Sequence, residues 1–251
     1  MKRGHKWAMG VGLLLSFCSG PKGAEASPTS EWIAAGDRHF VNRYDEQRVW
    51  KAIANYRQAL KKDPKDYIAL WKTARAYGWL ANDRKSKAET RKVAERGLSY
   101  AHRAVRQNPK GVEGQFYAAL CVGYVGRSIP MIMALFKGIE KKVLTFFRTA
   151  RRIDPKFEGG GADRALGVYY HTVPWPKRDR SKALQHLNRA LGFGPNNPWN
   201  HYYLAEVLLA EDRKKLARKF LLRCIGLREG QAGKAVLKRV QPRCRTLLRK
   251  I

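Results

Sequence analysis

Acidic residues are scarce in this sequence. Twenty Asp and Glu stand against 51 Lys and Arg, giving the 251-residue chain a formal net charge of +31. Long apolar runs are scarce too. Beyond the first 26 residues no stretch offers 18 uncharged apolar positions, which excludes a second membrane-spanning helix. Alternating apolar and polar runs are missing, so neither a parallel sheet nor a strand-rich domain is expected. Cysteine is limited to four residues, with no Cys-x-x-Cys and no Cys/His cluster at zinc spacing. The chain also lacks G-x-S-x-G, G-x-x-x-x-G-K-[ST] and H-E-x-x-H. Nothing therefore points to a catalytic constellation, a metal or a cofactor, and the sequence reads as a binding or structural protein.

Apolar residues make up 44% of the chain, enough for a folded protein with a sizeable core. The N-terminus stands apart from that fold. Lys2, Arg3 and Lys6 precede a short apolar run over residues 7–18, and Ala24-Glu25-Ala26 fits a signal-peptidase site. The expected division is a signal peptide over 1–26 and one domain over 27–251, in a periplasmic or envelope-associated protein. A lipoprotein reading of residues 15–18 is less favoured, because Phe17 stands where a small residue is wanted before Cys18. In an oxidising compartment one disulfide can form among Cys121, Cys224 and Cys244. The favoured pair is Cys224 with Cys244, which are near in sequence, and one thiol is left over.

An internal repeat organises the remainder. ALKKDP (59–64), AVRQNP (104–109), ARRIDP (150–155) and ALGFGP (190–195) each set an Ala five residues before a Pro. A small residue near a helix end lets two helices approach, and the Pro stops the helix; together they mark the tetratricopeptide repeat. Upstream, apolar residues recur at i, i+3, i+4 and i+7: Leu70, Thr73, Ala74, Tyr77, and again Tyr117, Leu120, Cys121, Tyr124. In the fourth repeat Asp163 takes the first large position before Leu166, Gly167 and Tyr170. The fifth has His201, Leu204, Ala205 and Leu208. The expected fold is an all-α, tetratricopeptide-like solenoid of about ten or eleven helices, closed by a capping helix over residues 232–248.

Two inserts of about ten residues depart from the usual 34-residue period. Residues 81–92 are polar. Residues 127–143 carry an apolar stripe of Met131, Ile132, Leu135, Phe136 and Ile139, for which core packing is the default and a groove the alternative. Tyr124, Met131, Leu135, Phe136, Tyr170 and Trp175 are the candidates for lining such a groove. Asn200, His201 and Glu206 read as a structural joint. Asn200 could cap a helix and fix the angle between the fourth and fifth repeats. His201 falls on the packing face, and Glu206 points toward a base on a neighbouring helix. His171 and His186 read as hydrogen-bonded structural residues. Gly159-Gly160-Gly161 reads as a flexible lead into the fourth repeat that permits close packing.

The segments GGGADRALGVYYHTVPWP (159–176), KALQHLNRALGFGP (182–195) and NPWNHYYLAEVLLAEDRKKLARKFL (197–221) resemble the TRAP transporter T-component family. That resemblance implies an exported helical cup or ring with a central pore. It also implies a protein partner, the solute-binding subunit of a tripartite transporter, and an apolar or organic-acid solute. The positive charge suggests a different reading, an envelope-organising scaffold resting on anionic lipid or cell-wall polymer. Nucleic acid is set aside, since an exported protein does not meet it.

Overall fold

A computed structural model describes residues 28–251; the expected signal peptide, its cleavage site and Cys18 lie outside the described residues. Twelve α-helices and no strand occur among them. Successive helices form hairpins: α1 (Ser30–Val41) with α2 (Glu46–Lys62), α3 (Tyr67–Asn82) with α4 (Lys87–Gln107), and α5 (Val112–Arg127) with α7 (Ile139–Ile153). Two more follow, α8 (Phe157–Thr172) with α9 (Arg180–Phe193) and α10 (Pro198–Ala210) with α11 (Lys214–Gly226). A six-residue helix, α6 (Met131–Phe136), interrupts the third hairpin, and α12 (Lys234–Leu248) ends the chain. The count exceeds the expected one because the first hairpin starts at Ser30, ahead of its recognisable motif, and because α6 is a separate helix.

The repeat signature has a direct physical basis. Ala59, Ala104, Ala150 and Ala190 are all buried where hairpins meet. Before three of the helix-stopping prolines stands an Asp or Asn, and its side chain accepts the backbone N–H two residues on. These bonds run from Lys65 to Asp63 (2.8 Å), Lys110 to Asn108 (3.2 Å) and Lys156 to Asp154 (2.8 Å). The same turn is thereby built three times. Asp66, Ser86, Asp179 and Asn197 cap α3, α4, α9 and α10, each accepting from an N–H of the first turn.

The polar insert does not widen a loop. It lengthens α4 to 21 residues and leaves only residues 83–86 as the turn. The apolar stripe does not join the core as expected. No residue of α6 is buried, and of the five stripe residues only Ile139, at the start of α7, packs on a core cluster, although Ile129 and Val143 of the same insert reach the core. The reason is geometric: Pro130 and Gly138, the latter left-handed at φ 59°, bracket a helix too short to reach the hairpins.

The glycine run permits close approach by tight backbone, not by flexibility. Gly159 and Gly160 have φ of 60° and 76°, and a Cβ on Gly160 would lie 2.6 Å from the Ala190 Cα. This contact seats the α8/α9 hairpin. At the far end Cys224 and Cys244 form a disulfide that ties α12 to α11, while Cys121 stays a free, buried thiol.

Candidate functional site

The inner faces of α3, α5, α8 and α10, with α6 and α12, surround a cavity of about 800 Å³. Its wall is rich in aromatic residues: Phe40, Trp79, Phe116, Tyr117, Tyr124, Trp199 and Tyr203 all line it. These positions follow from the repeat, because the first helix of each hairpin turns its large residues inward.

Into this apolar space project arginines. Arg43 lies over Phe40 (5.0 Å to the centroid) and Trp79 (4.8 Å), and donates to the Phe40 carbonyl. Arg127 lies over Tyr124 at 4.6 Å and donates to the carbonyls of Ala81 and Asn82. Arg164 donates to the Asn200 side-chain oxygen at 2.9 Å and to the Glu158 carbonyl. Among the described residues, none of these three guanidiniums forms an ion pair with a carboxylate. Burial lowers the pKa of both Arg43 and Arg164, Arg75 adding to the effect at Arg43, while the Glu158 carboxylate works against it at both across space. The other lining cations are matched: Arg75 with Asp37, Lys177 with Glu140, and Arg239 with Asp83. Lining acids are two, Glu140 and Glu158. Glu140 is held by Lys177 and Tyr169, and Glu158 accepts from Tyr117 at 2.6 Å. Six lining cations thus face two lining carboxylates, and that excess of positive charge in a partly desolvated space prepares the cavity for an anion.

Of the expected groove residues, Tyr124, Met131, Leu135 and Trp175 line the cavity. Phe136 does not; it is 86% exposed on the outer side of α6. Tyr170 is turned away and stacks on His186 with centroids 5.6 Å apart, packed against the C-terminal core cluster.

The expected joint is built differently in two respects. Asn197, not Asn200, caps α10, accepting from the Trp199 N–H. Asn200 is fully buried, and its amide nitrogen faces the carbonyls of Gly159 (3.0 Å), Ala190 (2.8 Å) and Gly194 (2.9 Å). Two amide hydrogens serve three acceptors, so one bond is shared. It clamps the fourth repeat to the fifth from the inside, and its oxygen holds Arg164 in the cavity wall. His201 is buried with Nε2 2.7 Å from the Pro195 carbonyl. Among the described residues Glu206 has no hydrogen bond from a base; Tyr202, one turn back on the same helix, donates to it at 2.5 Å, and Arg243 on the neighbouring α12 acts on it across space. Burial raises the Glu206 pKa.

Asp163 was expected only as an irregular repeat residue. It is fully buried and gathers His186 (2.7 Å), Arg151 (3.1 Å) and Arg189 (3.3 Å). Burial alone would push its carboxyl up, but the His186 bond and the two guanidiniums hold it below the ordinary value. This cluster pins α7, α8 and α9 together. Within the G-x-D-R segment, the Asp thus builds the hairpin joint and the neighbouring Arg164 serves the cavity. Arg43, Arg127 and Arg164 carry no spacing signal, since three arginines among so many basic residues are set apart only by the enclosure around them.

The family model described as regulator of microtubule dynamics protein 1-3 matches residues 32–157. The mouse regulator of microtubule dynamics protein 1 is 23% identical over 223 residues, covering 80% of this chain and 69% of the relative. The bovine protein of the same name is 24% identical over 199 residues, covering 70% of this chain and 59% of the relative. Among solved structures, a thermophilic tetratricopeptide protein of Thermus thermophilus superposes with a TM-score of 0.66 at 20% identity, over 88% of this chain and 98% of that one. That likeness shows the tetratricopeptide-type fold. The family matched is not the transporter family that the C-terminal segments resemble.

Proposed function

We infer that this chain, which belongs to the regulator of microtubule dynamics protein 1-3 family, is a helical-repeat scaffold whose cavity binds an amphiphile with an acidic head. The observation that carries this reading is the placement of Arg43, Arg127 and Arg164, none of them ion-paired to a carboxylate, in an aromatic-rich space of about 800 Å³. Such a volume accommodates a drug-sized or longer-chain molecule. The aromatics take the apolar body, Arg43 and Arg164 recover on the anion the hydration they lost on burial, and the exposed Arg127 adds a third guanidinium. The role is binding rather than catalysis.

A fluorescent polyene fatty acid tests this. We expect saturable binding to the full chain. Replacing Arg164 and Arg127 together by Gln should weaken it by more than about a hundredfold, each charge-assisted bond being worth about 1.5–3 kcal/mol. Undiminished binding in the double variant would overturn the reading.

The transporter resemblance is compatible with this cavity, an organic-acid solute being one such anion. Export is supported by the basic start followed by Ala24-Glu25-Ala26, and by the Cys224–Cys244 disulfide, which persists in oxidising compartments. A second reading comes from the family: contact of the +31 chain with an acidic polymer such as the microtubule. The two locations exclude each other. N-terminal sequencing of purified protein separates them: Ser27 as first residue supports export, and salt-sensitive co-sedimentation of the uncleaved chain with microtubules supports the second.

A further inference from the structure

We propose that α6 and the Trp175 loop form a docking edge for an anionic lipid bilayer. The edge is apolar and exposed: Phe136 is 86% exposed, Trp175 85%, Met131 66%, Ile132 62% and Leu135 60%. No residue of α6 is buried, so the core does not account for this concentration of apolar side chains. Isolated apolar residues on a surface are ordinary, but a contiguous group of this size marks an interaction site.

Three observations select a bilayer as the occupant. First, α6 is a turn and a half long, and its apolar side chains leave on every side instead of along one stripe. A protein groove reads one helical face, whereas an interfacial lipid layer accepts a knob from all directions. Second, the rim carries one sign of charge. Lys137, Lys141, Lys142 and Arg178 are exposed around the edge, and the nearby acid, Glu140, is already occupied by Lys177 and Tyr169. Basic residues beside an apolar insertion segment fit anionic headgroups above acyl chains. Third, the edge is one unit. The Lys177–Glu140 ion pair joins the Trp175 loop to the start of α7, directly after α6. Met131, Leu135 and Trp175 also line the cavity mouth, so this edge would face the opening toward the lipid. Docking does not depend on the cavity being loaded, and the fatty-acid titration without vesicles reads that property separately.

The test uses the full chain with Cys18→Ser and Phe136→Cys, labelled with nitrobenzoxadiazole. Cys121 is buried and the other two cysteines are paired, so the label goes to position 136. On adding phosphatidylcholine vesicles containing phosphatidylglycerol, its emission should shift to the blue and brighten; with phosphatidylcholine alone, or in high salt, the change should be absent. In the unlabelled chain, Ile132→Ser with Phe136→Ser should lower the fraction bound to anionic vesicles about tenfold, with the melting temperature unchanged because neither residue is buried. A silent label at 136 on vesicles that do bind the protein would overturn the proposal, since the chain would then be held elsewhere. An equal shift on neutral vesicles would overturn the anionic selection.

Discussion

Arg239 lies on the ring of Trp79, its guanidinium carbon 3.2 Å from the centroid, although the two residues are 160 positions apart. The same guanidinium donates to the Trp79 carbonyl and pairs with Asp83, and Arg243 stands 3.6 Å from Asp83. The last helix thus closes on the second hairpin and completes the cavity wall. Burial lowers the Arg239 pKa to about 10, still protonated at neutral pH. Arg43 covers the same Trp79 ring, so one indole serves two cations.

Arg239→Ala should open this seam without unfolding the hairpins. The expected cost is about 1–2 kcal/mol in urea unfolding, the range for a desolvated cation–π contact with its hydrogen bonds. Faster amide exchange confined to α12 is the sharper readout. Unchanged exchange there would mean that packing on α10 and α11 and the disulfide hold the helix alone.

Asn200→Ala should cost about 2–4 kcal/mol, because it strips partners from buried carbonyls and from Arg164 at once. Affinity for the acidic amphiphile should fall with stability, since Arg164 loses its anchor. Denaturation and ligand titration on the same variant decide this: a drop in stability at constant affinity would sever the joint from the cavity.

Burial holds the His201 pKa below its ordinary 6.5. Its Nδ1 is buried without a partner, so protonation would place charge where nothing accepts it. The folded value is depressed, so the stability it carries is present above pH 6.5 and declines as pH falls below that. Asp163, also depressed, adds a second loss below its ordinary 3.8, where the carboxylate holding His186, Arg151 and Arg189 is titrated. His201→Gln should flatten the stability profile between pH 7 and 5, and Asp163→Asn the limb below pH 4. Thermal melts across pH measure both.

Gly160→Ala should lower stability by roughly 2–4 kcal/mol, because a side chain there meets Ala190 backbone and a left-handed φ together. Gly192→Ala, inside α9 with open space around it, should instead be stabilising by about 0.5–1 kcal/mol. Similar melting temperatures for the two would contradict the tight approach of α8 to α9.

The hairpins were readable because their signals are local. The Ala–Pro endings at 59–64, 104–109, 150–155 and 190–195 report helix stops and close contacts within about 30 residues, and Leu204, Ala205 and Leu208 report one buried face. Asn200 was recognisable as a joint, but not as the clamp it is, since its acceptors come from α9 and from the glycine turn. Phe136 and Tyr170 show the opposite limit. Both are apolar and correctly spaced for a groove, yet a short bracketed helix turns one outward and His186 draws the other into the hairpin interface.

By itself the sequence determined the all-helical repeat, the hairpin order and the excess of positive charge, since periodicity, helix-stopping prolines and ionisation are properties of neighbouring residues or of composition. Only the tertiary structure decided which arginines matter. Arg43, Arg164 and Arg239 resemble dozens of other basic residues until the solenoid closes and removes water from around them. Desolvation depends on what encloses a charge, and here the enclosing residues come from both ends of the chain.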